Sequence, residues 1–435
     1  HGILRNSRKK ASMNKIVSKF GKWVGANIPE NPEKARQLLK IGFSVSLYQS
    51  KIFPDRSLLP HQQFAYVMNT DAILKPFRNP DRAAIVNLFF PCELLWAMDI
   101  DPFFTEGMAA YLNGAACEHS FIRYAEDSGI PQTYCSYHKA LLGAVLSNVI
   151  PVPRFAAYTT LACDANLNTF RSIADYFHIP CFAVDVPGLE SADTVAYVSD
   201  QLRDLANAVG HIMGKRLDED RLKEIIRREN HCVRMACEQL DLLADRFIPT
   251  DLTSEMNKIF PTHVNIGTEN AEKYFRLLLE DTRKAKFSEG EKRILWVHTI
   301  PYWQESIRNL FNQNRKYQIL LSDMNYDFLE ESDENAPYDA LARKLIRNPM
   351  NGRGQRRSEH ILNLAKKLKA HGVVYFCHWG CKQTLGNARL TSERLQKAGY
   401  PVLILDGDGC DHNNINDGQM ITKLQAFLEM LETNR

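Results

Sequence analysis

Ten cysteines mark this sequence, at positions 92, 117, 135, 163, 181, 232, 237, 377, 381 and 410. Thiolates bind metals and carry redox chemistry, and in a large chain from a reducing compartment those roles are commoner than structural disulfides. The spacing excludes the familiar local signatures: no C-x-x-C occurs, so there is neither a zinc-finger nor a ferredoxin-type run. The densest chemistry lies in FCHWGCKQTLG, residues 376–386, where two cysteines, a histidine, a tryptophan and a lysine crowd one turn. GVVYF leads into that turn as a strand, and a helical pattern follows it.

Similar apolar runs recur along the chain. AAIVNLFF (83–90), FAAYTTLA (155–162) and CFAVDV (181–186) come first, then RILWVHTI (293–300), QILLSDM (318–324), GVVYFCHW (372–379) and PVLILDGD (401–408). Helical patterns separate them, an alternation that builds parallel sheets. The pattern predicts an α/β protein with two Rossmann- or flavodoxin-like parallel-sheet domains. A helical N-terminal segment would occupy 1–80, the first α/β domain 81–190, a helical linking region 191–290 and the second α/β domain 291–435. NPMNGRGQRRSEH (348–360) reads as a solvated polar loop opening onto a helix.

With strands assigned, the cysteines fall into order. Cys92, Cys163, Cys381 and Cys410 each follow the carboxyl end of a strand, the edge where open α/β sheets bind ligands. CELLWAM, CDANLNTF and CKQTLG also begin helices, and a helix N-terminus favours the thiolate. Cys117 and Cys135 fall on turns of the first α/β unit that can face the same cleft. Cys181 at a strand start and Cys232 and Cys237 within one amphipathic helix read as packing residues, and Cys377 inside a strand reads as buried. Six thiolates at one edge exceed the four ligands of a zinc ion and fit iron–sulfur chemistry.

Composition narrows the partners. A net charge of +3 and a charged fraction of 24% point to no nucleic-acid or membrane partner. The basic run RNSRKK is short, the opening His-Gly pair reads as a cloning remnant, and no apolar run is long enough to span a bilayer, so a cytoplasmic location is expected. No G-x-x-x-x-G-K-[ST] loop is present, and GDGCDH lacks the third glycine of a dinucleotide fingerprint.

PCELLWAM, CEHSFI, YCSYHKALLGA, CDANLNTFR, HWGCKQTLG and LILDGDGCD together resemble the benzoyl-CoA reductase / 2-hydroxyacyl-CoA dehydratase superfamily, and within it the double-cubane cluster branch. The resemblance covers nearly all of the chain beyond about residue 80. It implies that Cys135, Cys163 and Cys381 hold a 4Fe–4S cubane. Cys92, Cys117 and Cys410 would complete a double cubane, two cubanes bridged by sulfide (8Fe–9S). It further implies a homodimer with one cluster per protomer and a separate ATP-hydrolysing iron–sulfur activator that delivers low-potential electrons. The expected activity is reduction of a small molecule by this iron–sulfur oxidoreductase. The alternative is a 2-hydroxyacyl-CoA dehydratase subunit with a single 4Fe–4S cluster, which would leave Cys92, Cys117 and Cys410 without a ligand role. A cluster carrier or electron-transfer protein would have every iron held by the protein and no small molecule reaching the cluster, and a zinc site of Cys377, His378, Cys381 and Cys410 would explain none of the N-terminal cysteines.

Glu118, His119, His138, His378 and Lys382 lie within three residues of these cysteines and are the candidate proton donors or hydrogen-bond partners of cluster sulfides. Asp164, Asp406 and Asp408 are expected to cap helices or orient loops, and Trp379 to shield the cluster.

Overall fold

The computed structural model describes residues 2–433, with side chains from residue 15 onward; His1 and the side chains of RNSRKK lie outside the described residues. Three helices open the chain, Gly2–Asn27, Pro32–Ile52 and Pro60–Arg78. The second starts sharply because Asn31 accepts the Lys34 N–H and Pro32 supplies a preset first helical residue.

Eight strands follow: β1 (Ala83–Val86), β2 (Asp101–Phe104), β3 (Phe155–Thr159), β4 (Cys181–Val184), β5 (Lys292–Val297), β6 (Tyr317–Ser322), β7 (Gly372–His378) and β8 (Val402–Gly407). They form two wholly parallel sheets, ordered β2-β1-β3-β4 and β6-β5-β7-β8. The two sheets share one topology. In each, the strand order reverses beside the first strand, so a crevice opens at the carboxyl ends of β1 and β3 and of β5 and β7.

Two expectations about strands are corrected here. DPFF forms β2, which the sequence pattern does not signal; Pro102 is tolerated because β2 is an edge strand pairing only with β1. AAIVNLFF is a strand only as far as Val86. There the Asn87 side chain accepts the Thr159 N–H at 3.0 Å, and the chain turns across the sheet edge.

The region between the sheets is helical, with Ala192–Met213, Glu219–Leu243 and Glu269–Lys284 capped by Ser191, Asp218 and Thr268. Helix Glu219–Leu243 serves two cores. Its Leu222, Ile225 and Ile226 pack into the core of the first sheet. Cys232, Ala236 and Leu240 pack into the core that holds Leu295 and Val373 of the second. Burying one amphipathic helix against both sheets couples them mechanically.

Two further expectations change. Cys181 is exposed, because β4 is an edge strand. NPMNGRGQRRSEH is no solvated loop: Asn348, Met350 and Asn351 are buried, and the helix Gly354–Lys367 begins within it. The Arg357 of that run is 0% exposed. No helix among the described residues is long and apolar enough to cross a membrane.

Candidate functional site

The carboxyl edges of the two sheets face each other across a cavity of about 340 Å³. Its wall draws on the segments after β1 (Leu88, Phe89), β3 (Ala162, Cys163), β5 (His298, Thr299) and β7 (His378, Cys381), the crevices that the shared topology creates. Cys135 joins from the turn before helix Ser136–Leu146. Three of the six candidate cysteines therefore line one cavity.

Each of two thiols meets a buried histidine from a different element. Cys135 Sγ lies 3.3 Å from His378 Nε2, across the gap between the sheets. The Gly409 N–H donates to His378 Nδ1 at 2.9 Å, so the imidazole proton sits on Nε2 and points at the sulfur. Cys163 Sγ lies 3.4 Å from His138 Nε2, and here the polarity reverses. Tyr134 donates to the Ala165 carbonyl at 2.8 Å, Thr169 donates to Tyr134, and Thr169 then accepts from His138 Nδ1 at 2.9 Å. That chain leaves His138 Nε2 as a bare acceptor facing the thiol. Cys381 immediately precedes helix Lys382–Lys397, with Thr384 Oγ1 at 3.1 Å from its sulfur.

The helix termini do not lower these thiols as expected. Burial pushes Cys135 well above the ordinary thiol value and Cys163 up to about 12, outweighing the backbone N–H groups of the adjacent helices. Burial likewise lowers His378 and brings His138 down to about 4, so both imidazoles are neutral. An acid sensitivity follows. The unfolded chain protonates His138 near 6.5, whereas the fold refuses the proton until about 4, so stability falls as pH drops through that window. Between about pH 7.5 and about pH 5.5 this costs about 1 kcal/mol. Urea unfolding of His138→Gln is expected to show a pH dependence shallower by that amount.

The two halves are locked together at the cysteines. Ser136 donates to Asp408 at 2.5 Å, Tyr137 donates to the Gly409 carbonyl at 2.9 Å, and Asn113 donates to the Cys410 carbonyl at 2.5 Å. Gly380 has φ +82, and a Cβ there would sit 2.7 Å from Cys135 Cα and 2.8 Å from its nitrogen. Backbone lies against backbone, which only glycine permits. Gly380→Ala is expected to cost about 3 kcal/mol and to open the cavity to a thiol reagent. Urea unfolding and the labelling rate of Cys135 would measure this; an unchanged labelling rate would refute it.

Other expected site residues lie elsewhere. His138, His378 and Lys382 line the cavity; Glu118 and His119 do not. Glu118 is buried against His412, whose ring nitrogen is 2.6 Å away, and His119 faces Asp411 at the surface. Cys92 and Cys117 are sealed in the first core, and Cys117 donates to the Leu112 carbonyl. Cys410 is fully buried with its sulfur toward the Ala109 carbonyl, outside the cavity wall. The expectation that Cys117 faces the cleft fails because the first helix seats Gly21 directly on Ala115 and Ala116 above it. Trp379 is half-buried and is not part of the wall. Asp408 orients its loop by accepting the Cys410 and Asp411 N–H groups, Asp406 pairs with Lys423, and Asp164 makes no cap but borders the cavity.

Sequence reasoning missed four features of the wall. Glu106 is half-buried there, accepts from the Thr105 hydroxyl and the Leu88 N–H, and desolvation raises its carboxyl above the usual range. His298 and Thr299 follow β5. Phe104, Met256, Phe260, Met324 and Met350 make much of the remainder apolar. The signal for His298 and Thr299 was their place at a strand's carboxyl end, the same test that found Cys163 and Cys381.

A pair of doubly wound domains closing a thiol-lined cavity between their switch points defines the class of this protein. The chain belongs to the family described as 2-hydroxyglutaryl-CoA dehydratase, D-component, whose pattern matches residues 87–431, and so to the 2-hydroxyacyl-CoA dehydratase and benzoyl-CoA reductase superfamily. It is similar to the (R)-phenyllactyl-CoA dehydratase alpha subunit of Clostridium sporogenes, 22% identical over 365 residues, 79% of this chain and 88% of that protein. The lactoyl-CoA dehydratase subunit alpha of Anaerotignum propionicum is 25% identical over 383 residues, 79% of this chain and 89% of its own. The (R)-2-hydroxyglutaryl-CoA dehydratase subunit alpha of Acidaminococcus fermentans is 25% identical over 305 residues, 66% of this chain and 62% of that protein.

Proposed function

We propose that this chain is a subunit of a 2-hydroxyacyl-CoA dehydratase that carries one 4Fe–4S cluster on Cys135, Cys163 and Cys381. The observation that carries this reading is the separation of the six cysteines: these three line the interdomain cavity, and Cys92, Cys117 and Cys410 do not. The residues fit a cluster of this kind. Among the described residues no three metal-ligating groups stand close enough to share a single ion, whereas three thiols ring a cavity with no fourth cysteine in its wall. The double-cubane reductase is the second reading, which needs all six thiolates around one space.

The cluster, when bound, would supply an electron that is recovered when the redox-neutral loss of water is complete, and a Lewis-acidic iron for the departing hydroxyl. The chain's own residues do the rest. His378 donates Nε2–H to Cys135, offsetting the charge of a thiolate there, and His138 Nε2 faces the Cys163 thiol as a hydrogen-bond acceptor. Dehydration removes hydroxide from C2 of the acyl chain and a proton from C3. Glu106 is the half-buried carboxyl of the wall that can take that proton, and burial raises its affinity for one. The apolar wall keeps water away from the reacting carbons.

The alpha-subunit names of the relatives favour a second, different subunit over the expected homodimer. An ATP-hydrolysing activator as electron donor, and a cytoplasmic location, belong to the same reading. Iron and acid-labile sulfide per chain, on protein purified without oxygen, test it: about four of each supports the single cluster, and about eight irons with about nine sulfides replaces it with the double cubane. Zinc without iron would overturn both.

A further inference from the structure

Two buried polar atoms of the cavity wall lack a partner. Among the described residues, buried side-chain nitrogen or oxygen atoms without a hydrogen bond occur on two residues that line this cavity, His298 (Nδ1) and Thr299 (Oγ1), adjacent in the chain. Buried polar groups are nearly always satisfied, so a neighbouring pair left open on a cavity wall marks a place for a ligand atom.

The backbone beneath them is built with care. His298 has φ +76, a left-handed conformation that a histidine adopts at a cost. It is held there from both sides: its N–H donates to Asp323 Oδ1 at 2.7 Å, and its carbonyl accepts from Ser322 Oγ at 2.9 Å. Arg357 fixes Asp323 in turn at 2.9 Å, and the Thr299 carbonyl accepts from Trp296 Nε1 at 3.0 Å. Hydrogen bonds thus secure three backbone groups of the pair, while both side-chain heads stay open. That is the arrangement of a preorganised binding site.

The chemistry of the pair selects its ligand. Burial and the nearby Arg357 keep the imidazole neutral, so it offers one N–H, and the threonine hydroxyl offers one O–H. Two donors side by side suit one acceptor oxygen, as in sites that hold a carbonyl. The surrounding side chains are apolar: Phe104, Met256, Phe260, Met324 and Met350. The wall contains no arginine among the described residues, and its lysine, Lys382, is exposed. An acyl chain ending in a carboxylate would be buried there without a cation, which is unfavourable.

We propose that His298 and Thr299 together bind the thioester carbonyl oxygen of an acyl-CoA with an apolar or aryl acyl chain, which lies against Phe104, Met256, Phe260 and Met350. The assignment rests on the dehydratase reading above and adds which residues grip the substrate and which chain they select.

Equilibrium binding to the full chain purified without oxygen tests it. The probes are (R)-phenyllactyl-CoA, its thioether analogue with CH₂ in place of the carbonyl, and (R)-2-hydroxyglutaryl-CoA. The wild type is expected to prefer the thioester over the thioether by about tenfold and phenyllactyl-CoA over hydroxyglutaryl-CoA by about tenfold. Thr299→Val, which keeps shape and loses the hydroxyl, and His298→Gly, which accepts the positive φ, should each cut the carbonyl preference to about threefold or less with thioether affinity unchanged. If His298→Gly does not fold, Thr299→Val decides alone. Variants that bind the thioester yet keep the full preference would overturn the assignment and leave the dehydratase reading standing. Hydroxyglutaryl-CoA binding as tightly as phenyllactyl-CoA would overturn the chain selection. A wild type that binds neither thioester would bring down the acyl-CoA reading and this assignment with it.

Discussion

Alanine at Cys135, Cys163 or Cys381 is expected to abolish iron binding, and alanine at Cys92, Cys117 or Cys410 to leave it intact. The contrast follows from position. The first three thiols border the same cavity, so deleting one removes a ligand from a site that has no spare cysteine in its wall. The second three are enclosed by protein: Cys92 and Cys117 in the first core, and Cys410 beside Ala109 and Tyr137. Their replacement creates small voids, costing about 1–2 kcal/mol each without touching the ligand set. Iron per chain and the visible absorbance of each variant would be read beside urea unfolding, which separates lost ligation from lost fold. Iron loss in all six variants, each still folded, would rule out the single-cluster assignment and restore the six-thiolate double cubane.

Arg357→Leu is expected to destabilise the protein by about 3–5 kcal/mol. Arg357 and Asp323 are both fully buried and joined at 2.9 Å and 3.3 Å, with Gln383 of the cavity wall as a further partner of the guanidinium. Leucine would leave Asp323 charged in the interior with its principal cation gone, which costs more than the pair contributes while intact. Arg357→Leu with Asp323→Asn should recover part of the loss, because asparagine removes the stranded charge and still offers an oxygen to the His298 N–H. Urea unfolding of the two single variants and the double variant measures the coupling. A loss below about 1 kcal/mol for Arg357→Leu would show that the pair is not holding the β5 edge.

How much of this was legible beforehand depends on the residue. The strand cores AIV, FAAYT, RILWV and GVVYF declare themselves by uninterrupted apolar and β-branched character, which parallel strands covered on both faces require. DPFF did not, because an edge strand can carry a proline and an aspartate. GRGQRR, polar and glycine-rich, has the composition of a solvated loop, Arg357 included. Nothing in that run reveals that Asp323, 34 residues earlier, would bring the guanidinium inside. Glu106 is hidden for a similar reason: one carboxylate early in a helix looks like a solvated cap until its surroundings are known.

The sequence by itself determined the two-sheet α/β architecture, the family, and the arrival of four cysteines at strand carboxyl ends, since strand periodicity and the residue after a strand are local properties. Only the tertiary structure decided which thiols share a cavity. Strand order places β1 and β3, and β5 and β7, at their crevices, and the Gly380–Cys135 contact sets how closely the two edges meet. A cysteine a few residues along the same edge, such as Cys92 or Cys410, then falls into packed core instead of open space. That outcome depends on the position of each loop around the sheet and on what the opposite domain presents, which no spacing along the chain encodes.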